Sequence, residues 1–146
     1  LVAREGVCRG NLVERCGSGY SGGIYVDGGR DILIENNTVT ECDLGIEVAA
    51  ENAGILTTGV TVRNNVLYHN RVVGLIFGGF AAGVGRADAN VFRGNTLYKN
   101  ATDADDGAGE IWVQYGSDNV LEGNIVHARA AADGGVANQM VVSFNP

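Results

Sequence analysis

The segment VTVRNNVLYHN, residues 60–70, contains the pattern that decides the fold. Two short runs of alternating apolar and polar residues flank a pair of asparagines, and a period of two is typical of half-buried β-strands. The second asparagine, Asn65, has counterparts at intervals of 26 to 30 residues, at Asn11, Asn37, Asn95 and Asn124. A repeat of this length predicts a solenoid, because one such unit cannot bury its hydrophobic face alone.

Alignment on these asparagines gives apolar columns that predict the interior. The residues three before and two after each asparagine are apolar in all five units: Cys8, Ile34, Val62, Phe92 and Leu121, then Val13, Val39, Leu67, Leu97 and Val126. A third run in each unit predicts two further inward columns: Ile24, Ile46, Leu75, Ile111 and Met140, then Val26, Val48, Phe77, Val113 and Val142. The repeat therefore predicts an all-β fold, a parallel β-helix of about five coils with three short strands per coil, over residues 1–146 as a single domain.

Composition and charge exclude several classes of protein. The chain has 146 residues, of which 45% are apolar and 18% are charged, and this is enough apolar material for one globular core. A net charge of -7 disfavours nucleic acid as a partner, because the negative charge repels the phosphate groups. Apolar runs of a few residues are too short for a membrane span, which needs about 20. No initiating Met or leader precedes Leu1, so we expect a processed protein or a fragment or core of a longer one.

The recurring unit resembles the right-handed parallel β-helix repeat of the pectate-lyase-like superfamily, over nearly the whole chain. The resemblance implies that the five aligned asparagines form a buried ladder, that the protein is extracellular or on the cell surface, and that its partner is a polysaccharide. It leaves the activity open, because the superfamily contains polysaccharide lyases, epimerases and glycoside hydrolases as well as non-catalytic scaffolds and binding modules. Motifs such as NTD, GHG, RIK and DPHD are absent from the sequence. An inactive truncated fragment is a further alternative.

The resemblance also directs attention to the outer face of the third strands, where such enzymes bind sugar chains. The outward column is predicted to contain Tyr25, Glu47, Ile76, Trp112 and Val141, with Asp27 and Gln114 one step further along their strands. Tyr25 and Trp112 are candidates for stacking on sugar rings, and Gln114 for polar contact with the substrate. The alternative for the two aromatic rings is that they only cover apolar surface beneath a loop.

Asp27 and Glu47 are the candidate catalytic pair. Adjacent coils bring outward residues close together, and two carboxyl groups with different environments can serve as acid and base in glycosidic chemistry. A solvated acidic surface is the alternative. Arg71 and Arg86 border the predicted groove and are candidates for substrate contact, since lyases of this shape generally use Arg or Lys as the base; exposed loop charges are the alternative here.

The loop TDADDGAGE, residues 102–110, carries oxygen ligands at short spacing. Asp103, Asp105 and Asp106 could bind Ca²⁺, although the loop does not match an EF-hand. The expected cofactor is therefore either none or Ca²⁺. A protein that binds no metal here would leave these residues as a solvated acidic loop.

Three smaller predictions concern cysteines, histidines and the coil ends. Cys16 and Cys42 fall in one column, where they could form a disulfide or remain stacked thiols. His127 is expected beneath Tyr98 in an aromatic ladder. Neither end of the repeat carries a recognisable cap, so we expect uncapped coils to associate into a homo-oligomer.

Overall fold

The computed structural model describes residues 2–19, 21–103, 109–130 and 139–143. Within these residues the regular structure consists of 17 strands and no helix. The strands are β1 (Val7–Arg9), β2 (Leu12–Glu14), β3 (Gly22–Asp27), β4 (Leu33–Glu35), β5 (Thr38–Thr40), β6 (Leu44–Ala50), β7 (Leu56–Thr58), β8 (Thr61–Arg63), β9 (Val66–Tyr68), β10 (Val73–Gly79), β11 (Arg86–Asp88), β12 (Val91–Arg93), β13 (Thr96–Tyr98), β14 (Gly109–Gln114), β15 (Val120–Glu122), β16 (Ile125–His127) and β17 (Gln139–Ser143).

Three parallel sheets of five strands each form the walls of a β-solenoid. The first sheet has the order β1-β4-β8-β12-β15, the second β2-β5-β9-β13-β16, and the third β3-β6-β10-β14-β17. Five rungs, one strand per sheet in each, are thus joined by four full turns, and this confirms the predicted fold. A two-stranded sheet, β7 with β11, was not predicted. It forms where longer connections lead from the third sheet back to the first, after the second and third rungs.

The predicted apolar columns form the core. Ile34, Val62 and Phe92 are completely buried in the first sheet, as are their counterparts in the second sheet. Phe77 of the third sheet stacks on Phe92 across the interior, with the ring centroids 4.3 Å apart. Stacking of equivalent apolar residues from rung to rung is what lets such short strands bury a continuous interior.

The asparagine ladder predicted between the first and second sheets is confirmed. The backbone N and Nδ2 of Asn37 both donate to Oδ1 of Asn65, at 2.9 and 3.0 Å. Asn65 repeats this arrangement with Asn95, at 3.0 Å for both bonds. The preceding residue in each rung has a left-handed backbone, for example Asn64 with φ 55°, a conformation that asparagine and glycine adopt readily. The ladder thus turns every rung at the same corner.

Two further ladders stabilise the other corners, and the sequence analysis did not identify them as ladders. Asn90 donates twice to Oδ1 of Asn119, at 3.0 Å in both bonds. Asn70 donates in the same way to Asn100, at 3.1 and 2.8 Å. The signal was present in the sequence, because these residues stand five positions before or after the main ladder asparagines.

The register of the last strand of the third sheet differs from the prediction. Val141, not Met140, pairs with Ile111 and so continues the inward column. Met140 is 59% exposed. A shift of one residue moves every side chain of a strand to the opposite face, so the predicted assignment of Met140 as inward and Val141 as outward was wrong.

Candidate functional site

The outer face of the third sheet has the predicted alignment in its first four rungs. Tyr25, Glu47, Ile76 and Trp112 occupy paired positions on β3, β6, β10 and β14. The centre of this column is covered, since Glu47 is only 8% exposed and Ile76 only 7%. Trp112 is half-buried and packs on an outer apolar cluster with Leu44, Val72, Val73, Ile76 and Ala101.

Tyr25, Asp27, Glu47 and Glu51 form what we call the acidic cluster. Tyr25 and Glu47 lie opposite each other on adjacent strands, and Oδ1 of Asp27 accepts a hydrogen bond from the backbone N of Glu51, at 3.1 Å. Tyr25 is 40% exposed and hydrogen-bonds to Glu51. Of the two predicted catalytic carboxyl groups, one is therefore buried and the other, Asp27, faces solvent.

The environment of Glu47 favours its protonated form. Burial is the main cause that raises the pKa of this carboxyl to about 7, and the negative charges of Glu51 and Asp27 contribute to the same increase. No residue of the described part of the chain donates a hydrogen bond to it. Burial, the hydrogen bond with Glu51 and the neighbouring carboxylates likewise raise the pKa of Tyr25. A protonated, buried carboxyl beside an exposed carboxylate is chemically able to act as an acid and base pair.

Glu51 is the member of the cluster that the sequence analysis missed. It is the first residue after β6, in a connection whose length differs from rung to rung. The only signal was its position directly after a strand that carries Glu47 and next to the predicted groove. Its contact with Asp27 of the preceding rung depends on how residues 51–55 fold back.

Arg71 binds two carboxylates and holds the turns before the third sheet together. Its Nε lies 2.8 Å from Oδ1 of Asp43 and its Nη1 lies 2.6 Å from Oδ2 of Asp103, and Nη2 donates to the Gly19 carbonyl. Burial alone would raise the pKa of Asp43, but the Arg71 guanidinium and the backbone amides of Ser18, Gly19 and Ser21 lower it. Arg71 precedes β10, whereas Arg86 follows it, so the two arginines lie at opposite ends of the third sheet.

The predicted calcium ligands are only partly within the described structure. Asp103 is the carboxylate bound by Arg71, while Asp105 and Asp106 lie outside the described residues. In the described part of the chain no three His, Cys, Asp or Glu side chains are grouped closely enough to hold a metal ion. The calcium site stays a prediction.

Arg86 and Gln114 lie at the far end of the third sheet. Nε2 of Gln114 donates to the Gly79 carbonyl at 2.8 Å, and Arg86 binds Asp88 through both Nε and Nη2, at 3.0 and 3.1 Å. Arg86 also lines a cavity of about 260 Å³, which we call the side cavity. The full lining is Gly54, Ile55, Leu56, Gly83, Gly85, Arg86, Asp88 and Tyr115.

The cysteines and the aromatic ladder have defined arrangements. Cys16 and Cys42 are free thiols, so the predicted alternative of a disulfide between them is not formed. Burial raises the pKa of the Cys42 thiol.

On the second sheet Tyr98 stacks on His127 with the ring centroids 5.0 Å apart, which confirms the predicted aromatic ladder. None of the described segments forms a helix that could cross a lipid bilayer.

Comparisons with known proteins identify the repeat but no activity. The family described as "Right handed beta helix region" matches residues 8–139. The uncharacterized protein YwoF of Bacillus subtilis (strain 168) is 38% identical over 109 residues, which are 74% of this chain and 23% of that protein. The chain thus spans about a quarter of the length of this curated relative. No solved structure matches the chain.

Proposed function

The chain belongs to the family of right-handed β-helix regions, and we propose that it cleaves a polysaccharide at the acidic cluster. The observation that carries this proposal is the carboxyl of Glu47, which is buried, lacks a hydrogen-bond donor among the described residues and has a pKa of about 7. Removing a carboxyl from most of its water costs stability, and perturbed carboxyl groups of this kind are concentrated at functional sites.

Hydrolysis is the reaction that these residues support best. Glu47, protonated near neutral pH, donates its proton to the glycosidic oxygen as the bond to the sugar breaks, and the exposed carboxylate of Asp27 takes a proton from the attacking water. Lyase chemistry receives less support, because its usual base is an Arg or Lys. Arg71 and Arg86 both bind carboxylates, which raises the pKa of each guanidinium.

The test is a screen of the purified chain against neutral and uronate polysaccharides, with and without Ca²⁺, between pH 5 and 9. New reducing ends report hydrolysis, and absorbance from unsaturated products reports a lyase. We expect new reducing ends, at a rate that falls as the pH rises through about 7 and Glu47 loses its proton. Glu47→Gln and Asp27→Asn should each lower the rate by about 100-fold or more, as for loss of a general acid or base.

Glu122→Gln is the matched control, because it neutralises an exposed carboxylate on the first sheet, away from the acidic cluster. It should leave the rate unchanged. Absence of cleavage on every polysaccharide, or equal activity in the wild type and Glu47→Gln, would contradict the proposal. The chain would then be a non-catalytic β-helix scaffold or binding module, or a truncated inactive fragment.

A further inference from the structure

The side cavity has about the size of a single ring. Its walls at Gly54 and Gly83 are bare backbone, with left-handed φ values of 75° and 73°, and no atom lies within 4 Å of the place where a Cβ would stand. Ile55 and Leu56 contribute apolar surface. Pockets for drug-sized ligands measure about 300 to 1,000 Å³, so a cavity of about 260 Å³ suits a single ring unit.

The polar end of the cavity offers uncommitted hydrogen-bonding groups. Arg86 donates to Asp88 through Nε and Nη2, and Nη2 also lies 3.3 Å from Oγ of Ser117. A guanidinium carries five N–H groups, and those on Nη1 bind no described residue. The guanidinium and the carboxylate neutralise each other, so this end can bind hydroxyl groups without favouring an anion.

Tyr115 provides the aromatic side of the cavity at a conformational cost. Its φ of 46° is left-handed, which is unusual for a bulky side chain and strains the backbone when the surroundings impose it. Asp27 of the first rung and Gln114 of the fourth rung are in register, so the residues that follow them, Gly28 and Tyr115, occupy equivalent positions. Gly28 has a φ of 68°. A glycine would thus be the unstrained choice for this turn, and a tyrosine placed there lines the cavity instead.

We propose that the side cavity binds one uncharged sugar ring of the polysaccharide, with Tyr115 stacked on the C–H face of the ring and Arg86 and Asp88 bound to its hydroxyl groups. The loop of residues 51–55 connects the acidic cluster to this cavity: Glu51, a member of the cluster, donates its backbone N–H to Asp27, while Gly54 and Ile55 line the cavity. The inference places one glycan chain against both, because they share this loop. The inference rests on the proposed function, because it assigns a second contact to the same substrate.

The experiment measures binding apart from cleavage. Isothermal titration calorimetry and saturation-transfer NMR are run on the wild type, Glu47→Gln, Tyr115→Gly and Tyr115→Phe. The probes are neutral hexaoses of α- and β-linked glucose, mannose, galactose, N-acetylglucosamine and xylose, with tetragalacturonate as the anionic probe. We expect a neutral hexaose to bind, Tyr115→Phe to retain the affinity, and Tyr115→Gly to weaken it by roughly 3- to 10-fold, as for loss of one stacking contact.

Tyr115→Gly removes the strained side chain from a left-handed turn, so it should not impair folding. Asn64→Gly is its matched control, because it makes the same kind of backbone change, at φ 55°, at the ladder corner. Asn64→Gly should bind as the wild type does. Preference for tetragalacturonate, undiminished binding by Tyr115→Gly, or no binding of any neutral hexaose would overturn the inference. Binding of a neutral hexaose without its cleavage would reject the hydrolase and leave the sugar site standing.

Discussion

At the scale of single residues, the ladder asparagines explain why each rung turns at the same place. Oδ1 of Asn65 accepts two hydrogen bonds from Asn37, while its Nδ2 donates to the Ile34 carbonyl and to Asn95. All of the polar capacity of this buried amide is therefore used. The same side chain forms hydrogen bonds with the rung before it and the rung after it. A single substitution therefore affects three rungs.

Asn65→Ala should lower the free energy of unfolding by at least about 3 kcal/mol, because several buried donors and acceptors lose their partners at once. Urea unfolding followed by circular dichroism measures the change. Asn11→Ala is the comparison at the exposed first rung, where we expect a loss of about 1 kcal/mol or less. Similar losses in the two variants would show that the ladder bonds do not stabilise the interior rungs.

At the scale of the secondary-structure elements, Glu110 of β14 ends one ladder in an unexpected way. It occupies the position of Gly74 and Gly45 on the neighbouring strands, where a Cβ would approach the ladder amides of Asn100 and Asn70. Its two oxygens accept hydrogen bonds from the backbone N and Nδ2 of Asn100, at 2.9 and 2.6 Å. In the other rungs this place is taken by the asparagine of the next rung, but the next residue in this column is Arg129. The carboxyl group of Glu110 takes the place of the missing asparagine.

Two buried carboxyl groups on the third sheet predict a pH-dependent stability. Burial raises the pKa of Glu110 to about 7, against the opposing effect of the Asn100 hydrogen bonds, and the pKa of Glu47 is raised to a similar value. The folded state therefore holds protons that the unfolded chain releases near pH 4.5. The free energy of unfolding should fall between pH 5 and pH 8 by about 2.5 kcal/mol for each group, or about 5 kcal/mol for the two.

Urea unfolding at several pH values tests this dependence. Glu47→Gln cannot ionise and should flatten the slope, whereas Glu122→Gln should not. Carboxylates with a lowered pKa, such as Asp43 and Asp88, act in the opposite sense, and their contribution is lost only on acidification below about pH 4. Stability that rises steadily from pH 5 to pH 8 would contradict the assignment of the two raised pKa values.

At the scale of the whole molecule, the inward residues are buried in the middle rungs of the solenoid but exposed to solvent in its last rung. Ile34, Val62 and Phe92 are completely buried, while Leu121 in the same column is 42% exposed. The strand that carries it, β15, is an edge strand of the first sheet. An exposed apolar edge of parallel strands is a template for pairing with another chain.

We expect the chain to associate through such rungs, with a mass above that of the monomer in light scattering at high concentration. Leu121→Lys places a charge in the open column and should lower the associated fraction. Val120→Lys, on the outward side of the same strand, is the control and should have a smaller effect. A monomeric mass at every concentration would contradict this expectation.

The sequence alone determined the solenoid and its three sheets, and the resemblance of its repeat to a known β-helix repeat implied the main ladder. These features repeat in register, so local alternation at Ile34 or Leu67 and the spacing of the asparagines are sufficient to place them. The sequence also predicted the alignment of four outward residues, because strand pairing follows from the repeat itself: Tyr25, Glu47, Ile76 and Trp112.

Only the tertiary structure decided what the non-repeating residues do. Glu51 donates a hydrogen bond to Asp27, Tyr115 lines the side cavity with Arg86, and Glu110 completes a ladder. Each of these arrangements involves a residue at an irregular position of the repeat. The burial of Glu47 likewise could not be read from its outward position in the strand. The physical reason is that alternation specifies which face a side chain takes, whereas connections of variable length determine what covers that face and which charges meet there.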